Sequence, residues 1–398
     1  MNGVSGGEGR ANSPGVASLA NLGNTCFLNS VLYTLRFTPG FWTRVYSRIL
    51  FPIFDHVRAD IVPQRRGDDD YEIASEDIDD WLYGTCTRCL ELVVDLAVQF
   101  HQAVVDAGVI PDLLKLLCGL ASRAHEQLAA CGVVAFKRLL INGAPLMKER
   151  EWHQCMEALQ KAFDETTPNF GVFSDETTDG DATRAAIISV KTQTLLVSAA
   201  NDLSTEATSS RASFNVDTLF VLLDVLEGVY TKAAVASRQL TSLNDEPDAE
   251  TRASVDDTAP LILGLEAHAS ALMLRTLGQL QGDGVVARTE QLVRVAALAL
   301  ENYLQFDAAN PYIDVRQSVR VHAQVSVDAL DAVCALDPAR FKSNLPKLYP
   351  LLTSLIRRDD KPNELSQALG DVFVHRVGPI LAETNDEAVV DPSPVEPL

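Results

Sequence analysis

Trp81-Leu82-Tyr83-Gly84-Thr85-Cys86-Thr87-Arg88-Cys89-Leu90-Glu91-Leu92-Val93-Val94-Asp95-Leu96-Ala97-Val98-Gln99-Phe100 is the stretch that decides the fold class. Leu82, Cys86, Cys89, Val93, Leu96 and Phe100 recur at steps of three and four, which places them on one face of a helix opening at Trp81. The pattern returns throughout the chain. The spacing predicts helices near 112–122, 124–142 and 149–164, separated by Gly143-Ala144-Pro145 and closed by Thr166-Thr167-Pro168. Further helices are expected over 181–203, 216–243, 260–280, 286–305, 314–336, 345–356 and 364–382. Upstream, an apolar stripe from Thr43 to Ile61 predicts a helix kinked at Pro52. No segment shows sustained alternation of β-branched residues, so a sheet is not expected. Helices joined by short polar breaks, with pairs recurring at about forty residues, predict an all-α fold: an α-solenoid of HEAT/armadillo-like helix pairs. A compact all-α bundle is the fallback.

Bulk properties agree with that reading. Apolar residues make up 47% of the 398 and aromatics 7%, with many Ala, Leu and Val, a balance that suits helices. The formal net charge of −21 argues against a nucleic-acid partner, because phosphate binding needs clustered Lys and Arg. It also disfavours adsorption of the whole surface to anionic lipid. No apolar run reaches membrane-spanning length and Met1-Asn2-Gly3-Val4-Ser5-Gly6-Gly7 lacks a basic-then-apolar signal pattern, so a cytoplasmic protein is expected. Residues 1–14 read as disordered and 385–398 as an acidic disordered tail. Residues 64–80 and 244–258 read as acidic loops, the second a linker containing Pro247. A calcium loop would need the Gly and spacing that 64–80 lacks. Seven cysteines, an odd number, fit a reducing compartment. Cys86 and Cys89 form a CxxC pair with no second pair or His at motif spacing, so they read as two helix positions. Neither a metal nor a cofactor is expected.

A second feature points elsewhere. In Asn21-Leu22-Gly23-Asn24-Thr25-Cys26-Phe27-Leu28-Asn29-Ser30, Cys26 would sit at the first turn of a helix, where the dipole and free N–H groups favour thiolate. Residues 15–41 resemble the cysteine box of ubiquitin-specific proteases and its following helix, with Tyr33 where that family usually has Gln. The resemblance implies a nucleophile at Cys26, an oxyanion donor at Asn21 and ubiquitin as partner. Such a thiol needs a histidine base, which the family places before Tyr. None of His56, His101, His125, His153, His268, His322 and His375 precedes Tyr, and no catalytic His is identified. The family's finger cysteines and β-rich palm are absent too.

From Trp42 the resemblance changes. Phe41-Trp42-Thr43-Arg44-Val45, Leu50-Phe51-Pro52-Ile53-Phe54-Asp55-His56-Val57-Arg58, Trp81-Leu82-Tyr83-Gly84-Thr85-Cys86-Thr87, Leu222-Leu223-Asp224-Val225-Leu226-Glu227-Gly228-Val229, Leu345-Pro346-Lys347-Leu348-Tyr349-Pro350-Leu351-Leu352 and Gln367-Ala368-Leu369-Gly370-Asp371-Val372-Phe373 are similar, in order and spacing, to the C-terminal HEAT-like region of large brefeldin-A-inhibited Arf guanine-nucleotide exchange factors. That resemblance, over residues 42–384, implies a non-catalytic scaffold or regulatory region in Golgi or endosomal vesicle trafficking. It also implies protein partners in Arf-dependent trafficking, with self-association and peripheral recruitment to those membranes as further expectations. The exchange domain with its glutamate finger has no counterpart here; only Phe214-Asn215 echoes its Phe-Asn motif. Trp81, Trp152, Tyr349 and Pro350 read as packing and helix-boundary positions. The alternative function is a deubiquitinase fragment or pseudo-enzyme acting through Cys26. A junction near 41–42 fits either a gene fusion or a gene-model error.

Overall fold

Each apolar stripe long enough to span two turns closes into a helix, and no strand occurs among the described residues. The computed structural model describes residues 38, 40–54, 86–173, 180–210, 216–241, 249–282, 288–305 and 316–387. Helix α1 (Phe41–Val45) continues through a π turn (Tyr46–Leu50) into a 3-10 turn (Phe51–Phe54). Then come α2 (Thr87–Gln99), α3 (His101–Asp106), α4 (Ile110–Ala121), α5 (Glu126–Gly143) and α6 (Glu149–Glu165). Three long helices occupy the middle: α7 (Gly180–Ser210), α8 (Val216–Thr241) and α9 (Ala249–Gly282). The series closes with α10 (Thr289–Gln305), α11 (Arg316–Cys334), α12 (Pro338–Arg357) and α13 (Asn363–Val372). A π turn (Phe373–Val377) joins α13 to α14 (Gly378–Glu387).

The helices stack in two layers. In one, α2, α5, α7, α9, α11 and α13 pack in succession; in the other, α4 packs on α6, α6 on α8, and α10 on α12. Pairs such as α4/α5, α8/α9 and α10/α11 join the layers. Side-chain bonds between α8 and α10 keep a nearly constant sequence offset, which means these two helices run parallel. Asp224–Arg288, Glu227–Gln291 and Arg238–Asn302 are all offset by 64 residues. This alternation of pairing and stacking is solenoid-like, because each pair leaves an apolar face that the next one covers.

Local chemistry sets the boundaries. Asp337 caps α12, its carboxylate accepting from the Arg340 N–H at 3.0 Å, with Pro338 in the first turn. Glu151 reaches back to accept from the Lys148 N–H at 2.7 Å. Gly132 lets α5 lie against α4: a Cβ there would stand 2.6 Å from the Ala121 nitrogen. The first described segment is tied into the core by Trp42 stacked on Phe100 (4.7 Å between centroids) and by Tyr46, whose hydroxyl donates to the Val93 carbonyl at 3.0 Å. Trp152, 1% exposed, is a packing residue as expected; truncation to Ala would cost about 3–5 kcal/mol.

Several expectations need correcting. The forty-residue period holds only towards the two ends, where stacked partners are offset by 43 residues (Asp95–Arg138) and 42 (Cys334–Arg376). Between them the offset rises to 65 for Glu126–Lys191 and 55 for Tyr303–Arg358, so no single period runs along the chain. The acidic linker 244–258 is helical from Ala249, and α9 runs through Pro260. The buried face of α2 is Leu90, Val93, Val94 and Ala97, flanked by Cys86 and Phe100; Cys89 and Leu96 stand half-buried at its edge. Tyr349 is 46% exposed, and Pro350 lies inside α12 together with Pro346. Neither is therefore a packing or boundary position. Trp81 and the acidic stretch 64–80 lie outside the described residues.

Candidate functional site

Asn21, Cys26, His56 and Phe214-Asn215 lie outside the described residues. The other histidines are all built into helices or their ends. His125 caps α5, accepting from the Leu128 N–H at 3.5 Å, and His153 lies 3.3 Å from Glu157 one turn on. His268 Nδ1 is 2.6 Å from the Gly264 carbonyl, and His375 is exposed on the π turn after α13. His101 is buried, and burial holds its imidazole below the ordinary histidine value against the opposing charge of Glu151. Cys86, Cys118 and Cys155 have thiols pushed up to about 12 by burial, so they stay protonated and are poor nucleophiles. Among the described residues no group of His, Cys, Asp and Glu could hold a metal ion.

The most concentrated polar chemistry lies where α8, α9, α10 and α11 meet. Arg238 on α8 donates from Nε to the Asn302 side-chain oxygen on α10 at 2.9 Å. Asn302 donates in turn to the Glu266 carboxylate on α9. The other oxygen of Glu266 stands 3.6 Å from Nε2 of His322 on α11. Side chains of Glu266 and His322 are 1% and 3% exposed, so the carboxylate depends on these neighbours for the solvation it has lost. Burial of the neighbouring Tyr230 phenol, and after it the charge of Glu266, push that phenol well above its usual value. Ser270 and Ser326 return their hydroxyls to the Glu266 and His322 carbonyls, at 2.9 Å each. The chain of groups links both layers. By bonding across α8, α10 and α9 it ties the register of these helices together.

From this buried chain a polar seam runs outward between α8 and α10, which hardly approach one another directly. Arg288 spans it with a forked bond to Asp224 and lies 4.9 Å over the Phe220 ring. Gln291 and Arg294 both reach Glu227, at 2.8 and 2.7 Å. Arg288 has φ 71°, a left-handed conformation rare for a residue with a side chain. Its side-chain contacts hold it there. Next to the seam, and sharing Asp224 with it, a groove of about 350 Å³ runs along α6 and α8, lined also by Phe163, Asp164, Gln193, Val221 and Lys232. Its polar groups are largely engaged: Gln193 donates to the Phe163 carbonyl at 3.0 Å and Lys232 to Thr167 at 3.3 Å. That suits contact with another chain better than chemistry.

The seam and the buried chain fall within one recognisable segment. Residues 191–374 match the BIG2 C-terminal domain. The chain is 28% identical over 413 residues to Brefeldin A-inhibited guanine nucleotide-exchange protein 2 of Arabidopsis thaliana, covering 87% of this chain and 23% of that protein. It is 26% identical over 385 residues to protein 3 of the same series, covering 87% and 22%. Similarity to the ADP-ribosylation factor guanine nucleotide-exchange factor SEC7 of Saccharomyces cerevisiae is 23% over 146 residues, 37% of this chain and 7% of that one. The chain thus spans less than a quarter of the length of the two plant relatives. No solved structure matches it. The similarity to the two plant exchange proteins extends over most of this chain, and the family match lies within it.

Proposed function

We propose that residues 42–384 are a non-catalytic scaffold of HEAT-like type belonging to a large Arf guanine-nucleotide exchange factor, acting through protein contacts in Golgi or endosomal vesicle trafficking. The observation that carries this is the match to the plant exchange proteins over 87% of the chain. The architecture supports it: a long two-layered stack with buried thiols and an enclosed polar network offers surface rather than a reaction centre. No helix among the described residues is long and apolar enough to cross a membrane, so recruitment would be through partners or at the membrane surface. The test is a chimera of the Arabidopsis protein 2 in which this chain replaces the segment it matches. Nucleotide release from Arf and brefeldin-sensitive membrane localisation should both survive the exchange. A chimera that is stably folded yet no better than a deletion of that segment would sink the reading.

A second reading rests only on the Asn21–Ser30 motif: residues 15–41 are a ubiquitin-protease cysteine box with Cys26 as nucleophile and Asn21 as oxyanion donor. Incubation with ubiquitin bearing a thiol-reactive C-terminus decides it. A covalent adduct lost in Cys26→Ser supports the reading, and no adduct removes it.

A further inference from the structure

Two stripes of side chains run side by side along α5 and α7, which pack against each other. On α5 the stripe is Glu126, Ala130, Val134 and Lys137; on α7 it is Lys191, Leu195, Ser198 and Asp202. Steps of three and four keep each set on one side of its helix. Ion pairs close both ends, Lys191 meeting Glu126 at 2.8 Å and Lys137 meeting Asp202. Both pairs are offset by 65 residues, so α5 and α7 run parallel and the four charges mark the corners of a rectangle. It is about 16 Å long and about 9 Å wide. Around it the signs alternate, because α5 runs from carboxylate to lysine and α7 from lysine to carboxylate. Inside it size alternates too: the same offset puts Ala130 beside Leu195 and Val134 beside Ser198. Val134 is 51% and Leu195 38% exposed, so two apolar side chains face outward between neutralised ends. On the α2 side Arg138 is taken up by Asp95 at 2.7 Å and Glu91 at 3.7 Å. In a chain of net charge −21, a surface whose own charges balance is one that a second copy can approach without repulsion.

A rectangle of alternating charge is complementary to itself. A two-fold axis across the helices, between residues 131 and 132 of α5 and between 196 and 197 of α7, sets Glu126 over Lys137 of the copy. It also sets Lys191 over Asp202 of the copy. The same rotation lays Val134 on Ala130 and Leu195 on Ser198, large on small, and opposes the helix dipoles. We propose that this face of α5 and α7 is the contact of a two-fold homodimer, in which every ion pair is kept and each charge gains an opposite one from the second copy. The rectangle is smaller than a standard interface, so the dimer is weak, dissociating in the micromolar range or above. The proposal does not rest on the trafficking assignment. It is tested on the purified full chain by sedimentation equilibrium at physiological salt, over a hundredfold range of concentration reaching near-millimolar chain. Monomer and dimer should exchange, and Val134→Asp/Leu195→Asp should weaken the dimer at least tenfold with unchanged circular dichroism. The sharper variant is Lys137→Glu/Asp202→Lys, which keeps the ion pair within each chain but sets like charges against each other across the axis. It should also weaken the dimer at least tenfold. Adding Glu126→Lys/Lys191→Glu reverses the other end, restores the alternation and should restore the dimer. A chain that stays monomeric throughout overturns the proposal. So does a dimer indifferent to the aspartates at 134 and 195, or one that the reversal of a single end leaves unchanged.

Discussion

At the middle of the molecule the two layers solve the same problem in opposite ways. In one, α7 and α9 pack closely, and between Thr258 and Gln281 α9 is buried except along the stripe of Pro260, His268, Arg275 and Gln279, because α7, α8, α10 and α11 pack on the rest of it. Its apolar runs Leu261-Ile262-Leu263-Gly264-Leu265 and Ala271-Leu272-Met273-Leu274 supply the covered faces, and His268, Arg275 and Gln279 mark the open one. In the other layer, at the same level, α8 and α10 are held apart and bridged by Arg288, Gln291 and Arg294. Apolar packing is short-ranged and gives a fixed geometry. Long charged side chains tolerate small changes of distance and are screened by salt. The difference therefore assigns rigidity to one layer and adjustability to the other, with the chain Arg238–Asn302–Glu266–His322 as the pin between them.

Removing the pin has the largest expected effect. Glu266→Ala takes the acceptor from Asn302 and leaves the Arg238–Asn302 pair without its carboxylate in a site closed to water, so urea denaturation should show a loss of about 3–5 kcal/mol. A loss below about 1 kcal/mol would mean that the group behaves as a surface pair. Next comes the apolar layer itself. A Cβ at Gly278 would stand 3.2 Å from both the Cα and the Cβ of Ala332 across α9 and α11. Gly278→Val should therefore cost about 1–3 kcal/mol through overpacking, read as a lower urea midpoint. An unchanged midpoint would show that this layer can shift after all.

Much of this layering was legible in the sequence. Helix positions such as Glu149–Glu165 and Val216–Thr241 follow from apolar spacing and turn residues, since each boundary is set by chemistry within a few residues. The start of α9 at Ala249 was not legible, because a run of carboxylates with Pro247 reads locally as a loop whereas the helix is extended from the packed part at Pro260 onward. Repeat length was half legible. Local spacing shows each helix, but the offset between stacked helices depends on their full lengths, which only packing reveals. The seam and the pin were missed because their members lie far apart in sequence and pair across helices. One signal was available: Glu266 in Leu265-Glu266-Ala267 and Asn302 in Glu301-Asn302-Tyr303 are polar residues at core positions of apolar helices, and such residues require partners. Tyr349 and Pro350 were misread because resemblance identifies a position but not its exposure.

The seam yields a smaller, salt-dependent effect. Arg288→Ala loses a forked carboxylate pair and a ring contact at a partly exposed site, while its left-handed backbone keeps its cost, so about 1 kcal/mol should be lost. Raising the salt to 0.5 M should mimic part of that change. Amide exchange would then speed up at the start of α10, with the amides of α9 unaffected. Equal acceleration in both helices would end the distinction between an adjustable and a rigid layer.

The smallest effect separates the layers by pH. On α11, in the apolar layer, burial raises the Asp328 carboxyl above its ordinary value of 3.8, the Gln324 amide and Arg275 only partly opposing it; Arg275 is 3.9 Å away. In the other layer, beside α12, hydrogen bonds from Arg358 hold Asp360 below that value. The signs are opposite. For Asp328 the folded state binds its proton more readily than the unfolded state, so its contribution to stability improves as pH falls from neutrality through the folded pKa, and the gain is complete below 3.8. For Asp360 the folded state holds its proton less readily, so its contribution is present above 3.8 and disappears as pH falls through the depressed folded value. Asp328→Asn should accordingly raise the melting temperature slightly at pH 7 and leave it unchanged near pH 3. Asp360→Asn should lower it slightly at pH 7, with the deficit vanishing in acid. Carboxyl chemical shifts followed by NMR would check the order of titration directly: Asp328 must protonate before Asp360 as acid is added. The reverse order would show that Asp328 is well solvated, and with it that the layer of α9 and α11 is no drier at that point than the arginine-bridged one.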